Sequence, residues 1–395
     1  MDDTIIRPYL VIPKLIEQPT WGGTYIVETK QWQQKHELIG KKIGQSYELY
    51  DKSNLSLAPS SEDSSFTGEI TDSKLVEQQT QVKNSIGLQQ LILDDPINIL
   101  GQRIVETYGP SMHLLLKFTQ ALGNSFQLHV SDGVNHPKWK AKPESWYYFE
   151  AGLITCGVKK DTNWHEYQQA VTELDQEIQR ISGNVRAGLL LYKDAKTQID
   201  MCIKRYNPWQ YVNVVRVENG TLLDLSSCGI HHSWEEDLKM IPLGNVLYEI
   251  QLNVMDDVAT IRNFDKGKVG KDGSLRLLQI EDYFALADRS AIANDPNTHM
   301  RSAKMMHQSA DLTQERILET KHYSMDRVKL NNKGSEFVDD IDTFRHLFVR
   351  SGAISVSAGG MTIEASAGHS VFVPAGSREY GIKSTEDNTE VLLSY

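Results

Sequence analysis

Cysteine is scarce: Cys156, Cys202 and Cys228 are the only three in 395 residues, and no two form a C-x-x-C pair. This argues against a disulfide framework or a cysteine-built zinc site and predicts ordinary thiols in a reducing, cytoplasmic setting. No stretch approaches the roughly 20 apolar residues that a membrane-crossing helix needs. The start, Met1-Asp2-Asp3-Thr4, is acidic, and the apolar stretch after it is broken by Arg7 and Pro13, so no secretory leader is expected. Excess positive charge is also missing. There are 52 acidic against 41 basic residues, a net charge of -11 at pH 7. Without a basic stripe, nucleic acid and anionic membranes are not expected partners. A small anionic metabolite is compatible, because a few local cations can outweigh a distant negative surface.

Apolar residues at 40% and charged residues at 24% describe a globular chain. At 395 residues, two domains are expected. Most of the chain reads as short strands. Phe126-Gln127-Leu128-His129-Val130 alternates, which puts Gln127 and His129 on one face. Ser111–Phe118 and Ser145–Phe149 are apolar or aromatic runs, and Val212–Val217 ends at the Asn219-Gly220 turn signal. One helix stands out: Trp164, Tyr167, Val171, Leu174, Ile178 and Ile181 form a stripe at helical period, closed by Gly183-Asn184. A second is expected over Asp194–Lys204. Residues 289–299, with Asn-Asp-Pro-Asn, suit a linker. From about residue 314, short strands punctuated by glycine, such as Gly359-Gly360, indicate a sandwich or jelly roll. The expected division is 1–160 and 206–295 as a first β domain, 161–205 as a helical insert, and 296–395 as a second β domain.

Gln127, His129, Glu144 and His232 are the most informative set. Glu144 follows His129 by 15 residues, room for a turn and a returning strand. A barrel interior would bring the four together, and two imidazoles, a carboxylate and an amide oxygen suit a divalent ion. Read alone, a strand histidine is more often a structural residue than a ligand. His231, beside His232, is a rival ligand. His346 and His369 are isolated and read as structural.

Six ordered blocks resemble type I mannose-6-phosphate isomerases in their short bacterial form. They are Trp21-Gly22-Gly23 with Ile43–Glu48, Leu115-Leu116-Lys117-Phe118, Ser125–His129, Lys142–Tyr147, Gly229–Trp234, and Glu249-Ile250-Gln251 followed by Thr260–Asp265. The resemblance implies a mainly β fold of two cupin (jelly-roll) barrels with a small helical insertion in the first. It implies one Zn2+ per chain, held by Gln127, His129, Glu144 and His232, the last favoured over His231 by its place in the motif. It also implies a sugar-phosphate substrate contacted by Lys117, Ser125 and Trp21. Val130 stands where the family has proline, and Val254–Asp257 replaces its Ser-Ser-Asp.

The implied reaction interconverts mannose 6-phosphate, or a related sugar phosphate, with its ketose through a cis-enediol. Arg262 would stabilise the oxyanion, since guanidinium stays charged. Glu249 is the candidate base and Lys142 the runner-up. Two alternatives stand beside it: a non-catalytic sugar-sensing or structural bicupin, and a metal cupin enzyme of different chemistry. The glutamine at 127, where those enzymes have histidine, points away from the latter.

Overall fold

The computed structural model describes residues 6–72, 75, 78 and 81–395. The acidic start at 1–4 lies outside them. The described residues are mainly β and form four sheets. Several strands lie within a residue of where the sequence placed them: Val212–Val217, Glu144–Tyr148, Arg345–Ser351 and Ala353–Ala358. Gly359 and Gly360 turn the chain at φ 56° and 76° so that Ala358 pairs with Met361. Two glycines in the left-handed region make the tight hairpin that matches strand twist.

Two sheets frame the candidate site. The five-stranded sheet runs Val212–Val217, Gly152–Val158, His232–Trp234, Phe126–Leu128, Ile261–Phe264. The eight-stranded sheet contains, in order, Glu144–Tyr148, Asn245–Leu252, Leu114–Ala121 and Ile43–Leu49 at its centre. The long strand Asn245–Leu252 is buried for seven of its eight residues and pairs on both sides. Strands buried on both faces carry their polar groups only where those groups meet partners or a ligand.

The helical insert is a hairpin of Trp164–Arg186 and Tyr192–Tyr206. The Asn163 side chain caps the first helix by accepting from the His165 and Glu166 amides. Tyr167, Val171, Leu174, Ile178 and Ile181 are its buried face, as the spacing predicts. The helix runs past Gly183-Asn184 to Arg186, since Ser182 and Arg186 both bond Gly273 and hold that turn.

Sheet membership does not follow the expected division at residue 296. The nine-stranded sheet contains six strands from Lys304 onward together with Tyr9–Ile12, Asn54–Ser56 and Ser85–Gly87. Tyr9 pairs with Phe372 and Leu10 with Val371. Conversely, Met300–Arg301 joins the eight-stranded sheet. One apolar core crosses the same boundary: Phe348 lies 5.4 Å from Phe118 and 5.1 Å from Tyr248, ring centre to ring centre. The expected linker is also structured. Ser290 caps a turn at Ala291–Asn294, and buried Asn294 accepts from the Val158 amide and donates to the Asp288 carbonyl.

Candidate functional site

His129 follows the strand Phe126–Leu128, His232 opens His232–Trp234, and Gln127 pairs with His232 in register. Glu144 opens a strand of the facing sheet. His129, Glu144 and His232 are all buried, and their ligand atoms lie within 4.8 Å of one another. His129 Nε2 stands 3.3 Å from one Glu144 oxygen and His232 Nε2 3.2 Å from the other.

The tautomers make this cluster informative. His129 Nδ1 lies 2.7 Å from the Ala259 carbonyl, and His232 Nδ1 3.3 Å from the Ile230 carbonyl. A carbonyl only accepts, so Nδ1 carries the proton in each ring. In the neutral imidazole each Nε2 then presents a lone pair to a carboxylate oxygen, and neither nitrogen has a hydrogen-bond donor. Burial holds His129 below its ordinary range, favouring the neutral ring even though Glu144 opposes this. Burial works against ionisation of Glu144 too; His129 and then His232 draw its carboxyl well below the usual range, which they can do only as charged donors, and a bound cation would take over that role when both rings are neutral. Two buried imidazoles and a buried carboxylate converging with no other partner at either Nε2 fit a divalent cation. Their Nδ1–H groups are fixed by backbone carbonyls, as metal-ligating histidines usually require.

Gln127 donates from Nε2 to Ser125 Oγ at 3.2 Å, which leaves its amide oxygen free for an ion. His231 is turned the other way. Its Nδ1 meets the hydroxyl of Tyr283, and its ring packs edge-on against Phe126 at 4.4 Å. Adjacent strand residues point to opposite faces, so only one of the two histidines can face Glu144.

A cleft of about 720 Å3 opens over the cluster, lined by Trp21, Lys117, Ser125, Gln127, Lys142, Glu144, Glu249 and Arg262 among others. Eight of the sequence-predicted residues line this cleft; His129 and His232 do not, and adjoin it through Glu144. Trp21 sits against Gly44, where a Cβ would lie 2.4 Å from the indole. Ser125 is buried and its oxygen accepts from Gln127 and, at 3.1 Å, from Arg262 Nε. Arg262 also donates to the Thr260 carbonyl and to Asp256. Glu249 accepts on one oxygen from Lys117 at 3.0 Å and from Gln251 at 2.9 Å, while its other oxygen is buried without a partner. Lys142 is buried, and its ammonium group lies 3.5 Å from Asp256.

Sequence reasoning missed Trp146, Trp234 and Asp256, which also line the cleft. For the tryptophans a signal existed. Trp146 is two residues beyond Glu144 and Trp234 two beyond His232, so period-two alternation puts each on its ligand's face. The Trp146 ring lies 5.3 Å from both His232 and Trp234. Asp256 carried no signal beyond lying in a segment that departs from the family pattern.

No family model matches the chain, and none of the curated proteins matches it. Solved structures do. The mannose 6-phosphate isomerase of Bacillus subtilis is 15% identical with a TM-score of 0.65, over 98% of this chain and 99% of that one. A point mutant of phosphomannose isomerase from Salmonella typhimurium is 12% identical with a TM-score of 0.63, over the same shares. A zinc-bound mannose 6-phosphate isomerase is 12% identical with a TM-score of 0.61, again over 98% and 99%. At these identities the likeness is one of fold, and it extends over nearly the whole of both chains.

Proposed function

We propose that this chain, which has the fold of the mannose-6-phosphate isomerases, is a cytoplasmic zinc-dependent aldose–ketose isomerase interconverting mannose 6-phosphate and fructose 6-phosphate. In this reading the four sheets make two cupin barrels, with the first holding the site and the helical hairpin inserted into it. Residues 1–160 and 206–295 supply most of that barrel, 161–205 the hairpin, and 296–395 most of the second. One observation carries the functional proposal: two buried imidazole nitrogens converge on one buried carboxylate and neither has a hydrogen-bond partner. His129, Glu144, His232 and the amide oxygen of Gln127 would hold the ion. When bound, zinc supplies Lewis-acid polarisation of the substrate's oxygens.

The remaining work falls to side chains around the cleft. Isomerisation moves a proton between two adjacent carbons through a cis-enediol. Glu249 is the proposed carrier. One of its oxygens is fixed by Lys117 and Gln251, and the unpartnered oxygen takes the proton from one carbon and returns it to the next. Arg262, oriented by Ser125 and the Thr260 carbonyl, stabilises the negative oxygen that develops. Lys142 adds charge for the anionic group, and Trp21 and Ser125 position the sugar.

Elemental analysis and a coupled assay for fructose 6-phosphate test the proposal together. One zinc per chain is expected, with turnover of mannose 6-phosphate that chelation abolishes and added zinc restores. A protein that binds zinc and turns over no sugar phosphate refutes the isomerase reading and favours a sugar-sensing bicupin.

A further inference from the structure

Asp256 opens the short helical turn Asp256–Ala259, between the strands Asn245–Leu252 and Ile261–Phe264. Its carboxylate reaches two cations at once. One oxygen lies 3.5 Å from Lys142 Nζ and the other pairs with Arg262 Nη2. Thr260 Oγ1 donates to the first oxygen and fixes the rotamer. The exposures are unequal: the Asp256 side chain is 60% exposed, against 6% for Lys142 and 12% for Arg262. The cations are drawn into the wall and the acid sits over them on the rim. Protein atoms crowded around the Asp256 carboxyl oppose its ionisation, but Lys142 and Arg262 outweigh them, so it stays well below its usual range. Its neighbour Asp257 lines the same cleft and makes no ion pair among the described residues.

We propose that Asp256 is a specificity-determining latch, a tethered anion over Lys142 and Arg262 that an incoming anionic group must displace, so that the cleft selects dianionic ligands over monoanionic or neutral ones. This rests on the reading of Lys142 and Arg262 as substrate-facing. A tethered carboxylate competes at an effective concentration in the millimolar range. A free carboxylate brings the same single charge and gains nothing by exchange. A phosphate dianion brings a second charge and more acceptor oxygens to the same two donors, so exchange favours it. Selection here works by an internal competitor as much as by attraction.

The test titrates the zinc-loaded wild type, Asp256→Asn and Asp257→Asn with inorganic phosphate and with acetate at low ionic strength, by calorimetry. Asp256→Asn keeps the shape and removes the charge. It should bind phosphate about ten-fold more tightly and acquire measurable acetate binding, so that selectivity for phosphate narrows. Asp257→Asn removes an equal charge from the adjacent residue and should change phosphate affinity by no more than about two-fold. If Asp256→Asn does not fold, Thr260→Val loosens the carboxylate without altering charge and should shift affinity the same way, by less. Phosphate binding no tighter than in Asp257→Asn overturns the latch. The two readings separate in the coupled assay. Tighter phosphate binding without turnover by any variant keeps the latch and removes the isomerase. Wild-type turnover with unchanged phosphate affinity does the reverse.

Discussion

Seven histidines are buried among the described residues, and two pairs of them invite comparison because one pair is a candidate metal site and the other is not. His129 and His232 meet between the sheets of the first half, and His346 and His369 lie among the strands of the second. In all four, Nε2 is buried without a hydrogen-bond partner. The difference is the company. His129 and His232 converge on Glu144, whereas His346 takes the Tyr248 hydroxyl at 3.0 Å and His369 packs against Trp32 and Phe66. Burial and an idle nitrogen therefore do not make a ligand. A buried carboxylate shared by two rings sets the first pair apart, because the three groups offer converging ligand atoms to one cation.

The largest effect that can break this comparison is loss of the ion. His129→Ala and Glu144→Gln should each lose the metal and essentially all turnover, whereas folded His346→Ala should keep one zinc per chain by elemental analysis. Zinc retained in Glu144→Gln would refute the role given to the carboxylate. Next come two residues beside the cluster. Glu249→Gln should keep zinc and lower kcat about 10²- to 10⁴-fold, the usual range for a proton carrier. Arg262→Ala should also keep zinc and lose about 10²- to 10³-fold, as when one oxyanion donor is removed. Near wild-type rates in steady-state kinetics would reject either role.

The smallest effect concerns the second pair. Burial lowers the pKa of His346 and of His369 from 6.5 to about 3. The unfolded chain takes up these protons below about pH 6.5, and the folded chain does so only near pH 3. The stability that neutral burial confers is thus complete above pH 6.5 and lost as pH falls toward 3, by at most about 1.4 kcal/mol per pH unit for each ring. Thermal unfolding between pH 7 and pH 5 should show this slope, and His346→Gln should flatten it. An equal slope in that variant would assign the acid sensitivity elsewhere.

Much of the first site was legible because its residues sit in local patterns. Alternation put Gln127 and His129 on one face, and the ordered blocks brought Glu144, His232, Glu249 and Arg262 into one reading. The choice between His231 and His232 needed the strand's orientation, which the Tyr283 and Phe126 contacts reveal. The three short helices Leu88–Asp94, Pro96–Leu100 and Gln102–Tyr108 were not anticipated, being shorter than the window of about 11 residues over which an apolar stripe can be read. The pairing of Tyr9–Ile12 with Ser370–Val373 was also out of reach, since a contact across some 360 residues leaves no trace in either segment.

That pairing fixes an order of events during synthesis. Tyr9–Ile12 sits between Asn54–Ser56, made soon after it, and Ser370–Val373, made some 360 residues later. Until that later segment has been made, one edge of this strand has no mate and stays open to wrong ones. The site in the first half is thus assembled on a scaffold whose final seam closes only when the C-terminal strands arrive.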